Sequence, residues 1–436
     1  MMKKKVRTIY DWRKNIMNKK LARIITSFSC ACILLSGNVY AEETKIDKPV
    51  IEYNEVKQKN IALYDSIYIG SYPQSEVVSG EAVYEQLVTS QQWNDDVLEI
   101  SGVKYCRKKP ELNDYNWKFL HSDTYTNSSD MDSFDWGEAD WYNLDNKDLE
   151  YHYFKYEPVQ WRVLSVDNNV AMVMSDKILD SMIYYNTDYI FGLIDFDENA
   201  SAWGDSVVRN FLNEDFIKEA FTDDEIKSIV TADNSGTTGN DKIYLLTQQY
   251  LKDELLEKLP PMDYPTYRSP VVCARPSDYA WAMGCPKGNG KDSLSLGNSH
   301  WWLILDGEKI GTQTTGPIIC SNGKLYGTEL SSSYTGVRPV MCVDLTSDAY
   351  SYAGKISTDI QLCGDLDKDD NVSLSDALKA LKYSLGIETS SDETVKICDT
   401  DNDKTITLQD VMEILKIAIG ISNNKFFSTS NIIWEE

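Results

Sequence analysis

The C-terminal stretch DLDKDDNVSLSDALKALKYSLG, residues 365–386, returns as DTDNDKTITLQDVMEILKIAIG, residues 399–420, at an offset of 34 residues. Asp365, Asp367, Asp369 and Asp376 fall on Asp399, Asp401, Asp403 and Asp410, Val372 on Ile406 and Leu374 on Leu408. The match continues through Leu381 and Leu415, Lys382 and Lys416, and Leu385 and Ile419, to Gly386 and Gly420. Agreement in phase over a loop and the segment after it marks a duplicated supersecondary unit.

The spacing carries its own chemistry. Calcium takes about six to eight oxygens, and a loop of about 12 residues wraps it with carboxylates at positions 1, 3, 5 and 12 and a carbonyl at 7. The first loop offers Asp365, Asp367, Asp369 and Asp376, the carbonyl of Asn371, and Ser373 through a water. The second offers Asp399, Asp401, Asp403 and Asp410, the carbonyl of Thr405 and the hydroxyl of Thr407. Two bound calcium ions are therefore expected, and because crowded carboxylates repel without a cation, binding and folding should be coupled. Position 6 usually needs a residue tolerant of positive φ; here it is Asp370 and Lys404, so the second loop is expected to bind more weakly.

A helix is expected after each loop, capped by Asp376 and Asp410 and ended by Gly386 and Gly420. Leu378, Leu381 and Leu385 make one apolar stripe and Met412, Leu415 and Ile419 its twin, and neither helix can bury its stripe alone. Val372 and Ile406 are placed to pair across the loops. Cys363 and Cys398 precede the loops at nearly equivalent places, and a disulfide between them would restrict the unfolded chain, although equivalence in a repeat does not establish proximity.

Residues 363–421 resemble a type I dockerin, a small all-α, EF-hand-like module that plugs exported proteins into cohesin domains of scaffolding proteins, as in cellulosomes. The resemblance implies contact with cohesin through loop positions 10 and 11 and helix positions 17, 18 and 22, which are Leu374, Ser375, Leu381, Lys382 and Gly386. In the second copy they are Leu408, Gln409, Leu415, Lys416 and Gly420, so the resemblance implies that either face can dock. Leucine at position 10, where the family has a hydroxyl residue, leaves the class of cohesin open.

The other end of the chain reads as a secretory leader, residues 1–41. Nine Lys or Arg precede an apolar run from Ile24 to Leu35, and Val39 and Ala41 supply small residues for cleavage. Without that leader the net charge falls from −25 to about −33, which argues against nucleic acid as a partner. No later segment is apolar enough to span a membrane, so the protein is expected outside the cell, held at a surface through a scaffolding protein. Seven cysteines remain, an odd number, with no Cys-x-x-Cys spacing for zinc or a redox dithiol.

Between the ends, residues 60–345 read as one mixed α/β (α+β) domain, flanked by polar linkers at 42–59 and 346–362 and followed, past the repeat, by a tail at 422–436. Pro158–Val166 and Val170–Met174 alternate as strands around a turn at 167–169. Asp205–Phe221 has helical spacing, Thr222 and Glu225 form a capping box for a helix at Asp223, and Ile243–Leu246 is a buried strand. Asn322 and Gly323 mark a hairpin within 316–330, and Val337–Leu345 makes a last strand whose Arg338 is expected to pair with a carboxylate.

The blocks IGSYPQSE (69–76), EPVQWRVLSV (157–166), SAWGDSVVRNFLNEDFIKEAFTDDE (201–225), DKIYLLT (241–247), HWWLILDG (300–307) and GVRPVMCVDL (336–345) resemble an exported domain of unknown function, number 6273. That family's Leu-Arg-Ser-Pro after the tryptophans reads Leu303, Ile304, Leu305, Asp306 here. The order of a WWL strand, a glycine hairpin and a terminal VRP strand is similar to the C-terminal half of a C-type lectin-like fold.

Catalytic signals are sparse. His121, His152 and His300 form no metal motif, and no catalytic residue is assigned. Trp136, Trp141, Trp301 and Trp302 are candidate stacking surfaces for a glycan. The large domain is therefore expected to be a non-catalytic binding module carried by the repeat. The competing expectation is a glycoside hydrolase delivered by it, with Asp135, Glu138 and Asp140 as the first carboxylates to test.

Overall fold

The structure is a computed structural model that describes residues 45–55, 59–109, 151–185, 201–231, 241–258, 270–288, 297–305, 307, 315–358, 362–368, 372–400, 404–419 and 421. The leader and the tail lie outside those residues.

Two long antiparallel strands, β2 (Lys59–Val77) and β5 (His152–Asp167), form the spine of the large domain. Around them run β1 (Val50–Asn54), β3 (Val97–Ile100), β4 (Val103–Lys108), β6 (Val170–Ser175), β8 (Ile229–Val230), β9 (Ile243–Tyr244), β14 (Val340–Asp344) and β15 (Ser351–Ser357). Their main order is β1-β2-β5-β6-β14-β8, with β15 also on β2, β4 on β5 and β9 on β14. A second sheet runs β12-β11-β10-β13-β7, from Leu325–Glu329, Thr315–Ile319, Trp301–Trp302, Gly336–Val337 and Asp180–Ser181. The domain is mixed α/β, mostly sheet with few helices.

The alternating run in β5 explains its central place, since Val159, Trp161 and Val163 are all buried and Trp161 donates its indole N–H to Ile69 O at 2.9 Å. Gly323, at φ +78, turns β11 into β12. Helix α1 spans Tyr84–Thr89, and α2 is formed by Val207–Asn210, a π-helical stretch Phe211–Phe216 and Ile217–Ala220. Val208, Leu212 and Phe216 of α2 enter the main core. Thr222 and Glu225 close the expected capping box on α3, Asp223–Ser228. Helix α4, Gln248–Tyr250, continues into a π-helical stretch, Leu251–Leu256, and α5 spans Asp278–Ala282.

Both spans expected as linkers carry sheet instead. Ile46 is in the core, and β1 pairs with the first residues of β2. After β15 has paired with the other side of β2, Thr358 donates its N–H to Ala62 O at 2.9 Å and accepts from Ala62 N at 2.9 Å. The physical reason is that β2 extends beyond β5, and its backbone groups need partners that only these sequence-distant strands supply.

Arg338 also departs from expectation. Its guanidinium donates to the backbone carbonyls of Ser175, Val272 and Asp176 at 2.9, 3.4 and 3.3 Å and lies 5.1 Å from the Trp301 ring centre. The nearby carboxylate, Asp176, pairs with Arg162 at 2.7 Å. Burial, with Arg162 close by, lowers the Arg338 pKa to about 9, so the buried cation persists at neutral pH.

The sheets are tied by Tyr72 of β2, whose hydroxyl donates to Asp180 Oδ2 of β7 at 2.6 Å. Burial pushes the Asp180 carboxyl up to about 6 against the hydrogen bonds from Tyr72 and Ser181, which lower it. The folded state thus holds this proton more tightly than the unfolded chain, and stability from this group is lost as pH rises from about 4 to about 6. Asp180→Asn, which keeps an acceptor for Tyr72, should flatten that slope. In urea melts of the full chain from pH 4 to 7, wild type should lose on the order of 3 kcal/mol more than the variant. Equal slopes would show that Asp180 carries no such proton.

Candidate metal centre and apolar faces

Each half of the repeat folds as a loop and a helix: α6, Leu374–Ser384, and α8, Leu408–Ala418, with α7, Asp392–Cys398, between them. The caps are Ser373 and Thr407, and Asp376 and Asp410 sit at the third helical position, completing capping boxes. This corrects the expectation that the aspartates themselves cap. A short hydroxyl side chain reaches the helix N–H groups, and the aspartate carboxylates turn back into the loops.

The two aspartates make matching bonds. Asp376 accepts from Ser373 N and Oγ at 2.9 and 2.7 Å, and from Leu366 N, loop position 2, at 2.9 Å. Asp410 accepts from Thr407 N and Oγ1, both at 2.7 Å, and from Thr400 N and Oγ1 at 2.8 and 2.9 Å. Burial works to raise the Asp410 pKa, but these bonds outweigh it and hold the group below the usual carboxylate range.

In the first loop, carboxylate oxygens of Asp365, Asp367 and Asp376 lie within 4.8 Å of one another. Asp365 and Asp376 are each 2% exposed. Such a set of hard oxygens fits a hard divalent cation, though by itself it does not select one. In the second loop Asp399 Oδ2 accepts from Lys404 N at 2.7 Å, and Lys404 takes φ +68, the conformation expected to need a tolerant residue. Asp369, Asn371, Asp401, Asp403 and Gly420 lie outside the described residues. Thr405 is exposed.

The stripes behave differently from expectation. What α6 and α8 bury together is Ala377, Ala380, Val411, Ile414 and Ile417, with Leu362, Val372 and Cys398, while Leu381, Ile406 and Leu415 pack at the margin. Small Ala377 and Ala380 let the helices approach, and Leu378, Leu385, Met412 and Ile419 are turned outward. They join Leu374, Ile387, Leu408 and Ile421, all between 52 and 72% exposed. Each exposed side chain of the first copy has its counterpart 34 residues on. Of the residues implied as partner contacts, Leu374, Ser375, Gly386, Leu408, Gln409 and Lys416 are exposed, and Leu381, Lys382 and Leu415 are half-buried. Lys382 pairs with Glu388 at 3.0 Å and Lys416 with Glu413 at 3.2 Å. Sequence reasoning missed the outward role of Leu378, Leu385, Met412 and Ile419; in the first copy Ala377 and Ala380, on the neighbouring face, were the available signal.

The large domain does not offer the aromatic surface expected of Trp301 and Trp302. Both are fully buried, with indole N–H groups bonded to Val272 O at 3.1 Å and Met182 O at 2.9 Å, so neither ring can stack on a sugar. Trp136 and Trp141, and the carboxylates Asp135, Glu138 and Asp140, lie outside the described residues. Burial pushes His300 down to about 3 and the Cys106, Cys285 and Cys320 thiols up to about 12, so these groups are neutral packing residues. His152 Nδ1 lies 2.6 Å from Glu76 Oε1.

No curated protein and no solved structure matches this chain. The blocks at 69–76 and 157–166 precede the span that a family model recognises, and the C-terminal repeat follows it. Residues 168–345 match the family described as Domain of unknown function (DUF6273).

Proposed function

We propose that residues 363–421 are a type I dockerin-like module that binds two calcium ions and attaches this chain, exported and freed of its leader, to a cohesin domain of a scaffolding protein. The observation that carries the reading is the pair of apolar faces repeated at 34 residues: Leu374, Leu378, Leu385 and Ile387 on one, Leu408, Met412, Ile419 and Ile421 on the other. Exposed apolar clusters on a small module mark interaction sites. Their duplication supports docking through either face. The converging carboxylates of Asp365, Asp367 and Asp376 support calcium as the ion of the first loop.

The large domain, on this reading, is the cargo. Its buried neutral His300 and thiols support a binding role over a catalytic one, and a glycan is the ligand to test. We also read it as C-type lectin-like, on the order of the β10 tryptophans, the β11–β12 hairpin and the Val337-Arg338-Pro339 segment that runs from β13 to β14.

Calorimetry of the full chain against cohesins should give binding in calcium and a loss of at least about 100-fold with excess chelator. Unchanged affinity in chelator would overturn the reading. Leu378→Ala with Leu385→Ala, or Met412→Ala with Ile419→Ala, should each cost little in affinity because the other face remains. All four together should abolish binding, since buried apolar anchors carry most of an interface's energy.

The loops are expected to differ too. Lys404→Gly removes a side chain from a left-handed backbone position and should tighten the weaker calcium site by about fivefold, measured by calcium titration of the full chain. An unchanged weaker site would show that backbone strain at Lys404 does not limit it.

A further inference from the structure

Cys363 and Cys398 stand at the entrances of the two loops, directly before Gly364 and Asp399. The structure brings those entrances together. Gly364 donates its N–H to Ile397 O at 2.7 Å, and Cys363 Sγ lies 4.0 Å from Asp399 O. That bond joins the residue after Cys363 to the residue before Cys398, the last residue of α7, so the two cysteines flank a single backbone contact. A disulfide needs the two α-carbons within about 7 Å, which a direct backbone contact between their neighbours permits. Cys363 and Cys398 are 3% and 0% exposed, and Cys398 packs in the small core of the module. Gly364 is held at φ +89, and a β-carbon there would meet Ile414 Cγ1 at 2.9 Å, which fixes the first entrance against α8.

We propose that Cys363 and Cys398 are the two halves of a disulfide that staples the loop entrances and holds the C-terminal module closed. In the structure both are thiols. Oxidation requires an external disulfide, of which oxidised glutathione is the simplest. The thiolate of one cysteine attacks it, forming a mixed disulfide and releasing one glutathione thiolate. The second cysteine then displaces the other glutathione, leaving one Sγ–Sγ bond. Two electrons pass from the cysteine pair to the external disulfide, and the two cysteine protons go to the released thiolates. Because the sulfurs are buried, this exchange takes place while the module is open. The bond closes a 36-residue segment containing the first loop and α6, so it restricts the unfolded module and not the folded one. The proposal goes beyond the docking reading and is read out by connectivity and local stability, without a cohesin.

The test uses the full chain in calcium chelator, exposed to a glutathione disulfide buffer or to dithiothreitol. Non-reducing peptide mapping should recover Cys363 joined to Cys398 only after oxidation. Hydrogen exchange of peptides covering 374–384 and 408–418, followed through a urea series, should show these helices opening at a midpoint higher by about 2 M in the oxidised protein. Cys363→Ser should remove that difference while opening at the midpoint of the reduced wild type. The inference is overturned if both cysteines stay open to iodoacetamide after oxidation and unfolding, if either maps to another cysteine, or if the two midpoints coincide.

Discussion

Repulsion between carboxylates confined to one loop is the constraint under which the C-terminal module folds. Asp365, Asp367 and Asp376 bring carboxylate oxygens within 4.8 Å of one another, so like charges meet in one loop. The N–H groups of Leu366 and Ser373 that point at Asp376 offset part of this. On the proposed reading a divalent cation offsets the remainder. On that reading the convergence of Asp365, Asp367 and Asp376 gathers like charges at a place where one opposite charge serves them all.

The helices show why apolar spacing alone does not say which side of a helix is inward. In α6, Ala377 and Ala380 lie on one face and Leu378 and Leu385 on another. Hydrophobicity favours the leucines as core, whereas close approach of two helices favours the alanines. The approach prevails because the module is too small to bury both faces of each helix. The duplication, the loop spacing and Gly386 at φ +68 were legible as local chemistry, whereas Ser373 and Thr407, whose hydroxyls cap the helices, read from the sequence as loop ligands. The direction of the leucines was a property of the pair.

In the large domain the same division holds. Trp161, Thr222 with Glu225, and Asn322 with Gly323 act on near neighbours, and their elements were legible. Val50, Ile51 and Tyr53 are exposed and the 42–59 span is polar, so nothing local marked β1 as part of a sheet. Its strand status comes from register with β2, as that of β15 comes from pairing across nearly the length of the domain. Trp301 and Trp302 were misplaced for a related reason. An indole gains from a core and from a sugar face through the same apolar surface, and what decides is whether a second layer covers it. Here the carbonyls of Val272 and Met182 lie within reach of the indole N–H groups, which removes the usual cost of burying tryptophan.

Sharing one core has a consequence for the two loops. Val372 stands at position 8 of the first loop and Ile406 at position 8 of the second, and both pack among residues of α6 and α8. Ile414 of α8 presses on Gly364 at the entrance of the first loop, while Thr400 at the entrance of the second is tied to Asp410 at the start of α8. On the proposed reading of two bound ions, ordering either loop orders the helix that the other loop leans on, and the ordering cost of that core falls on whichever ion binds first. On that reading two sites built this way would fill cooperatively even though no residue need touch both ions. A weaker second loop, with Lys404 in its left-handed position, would then draw part of its occupancy from the first.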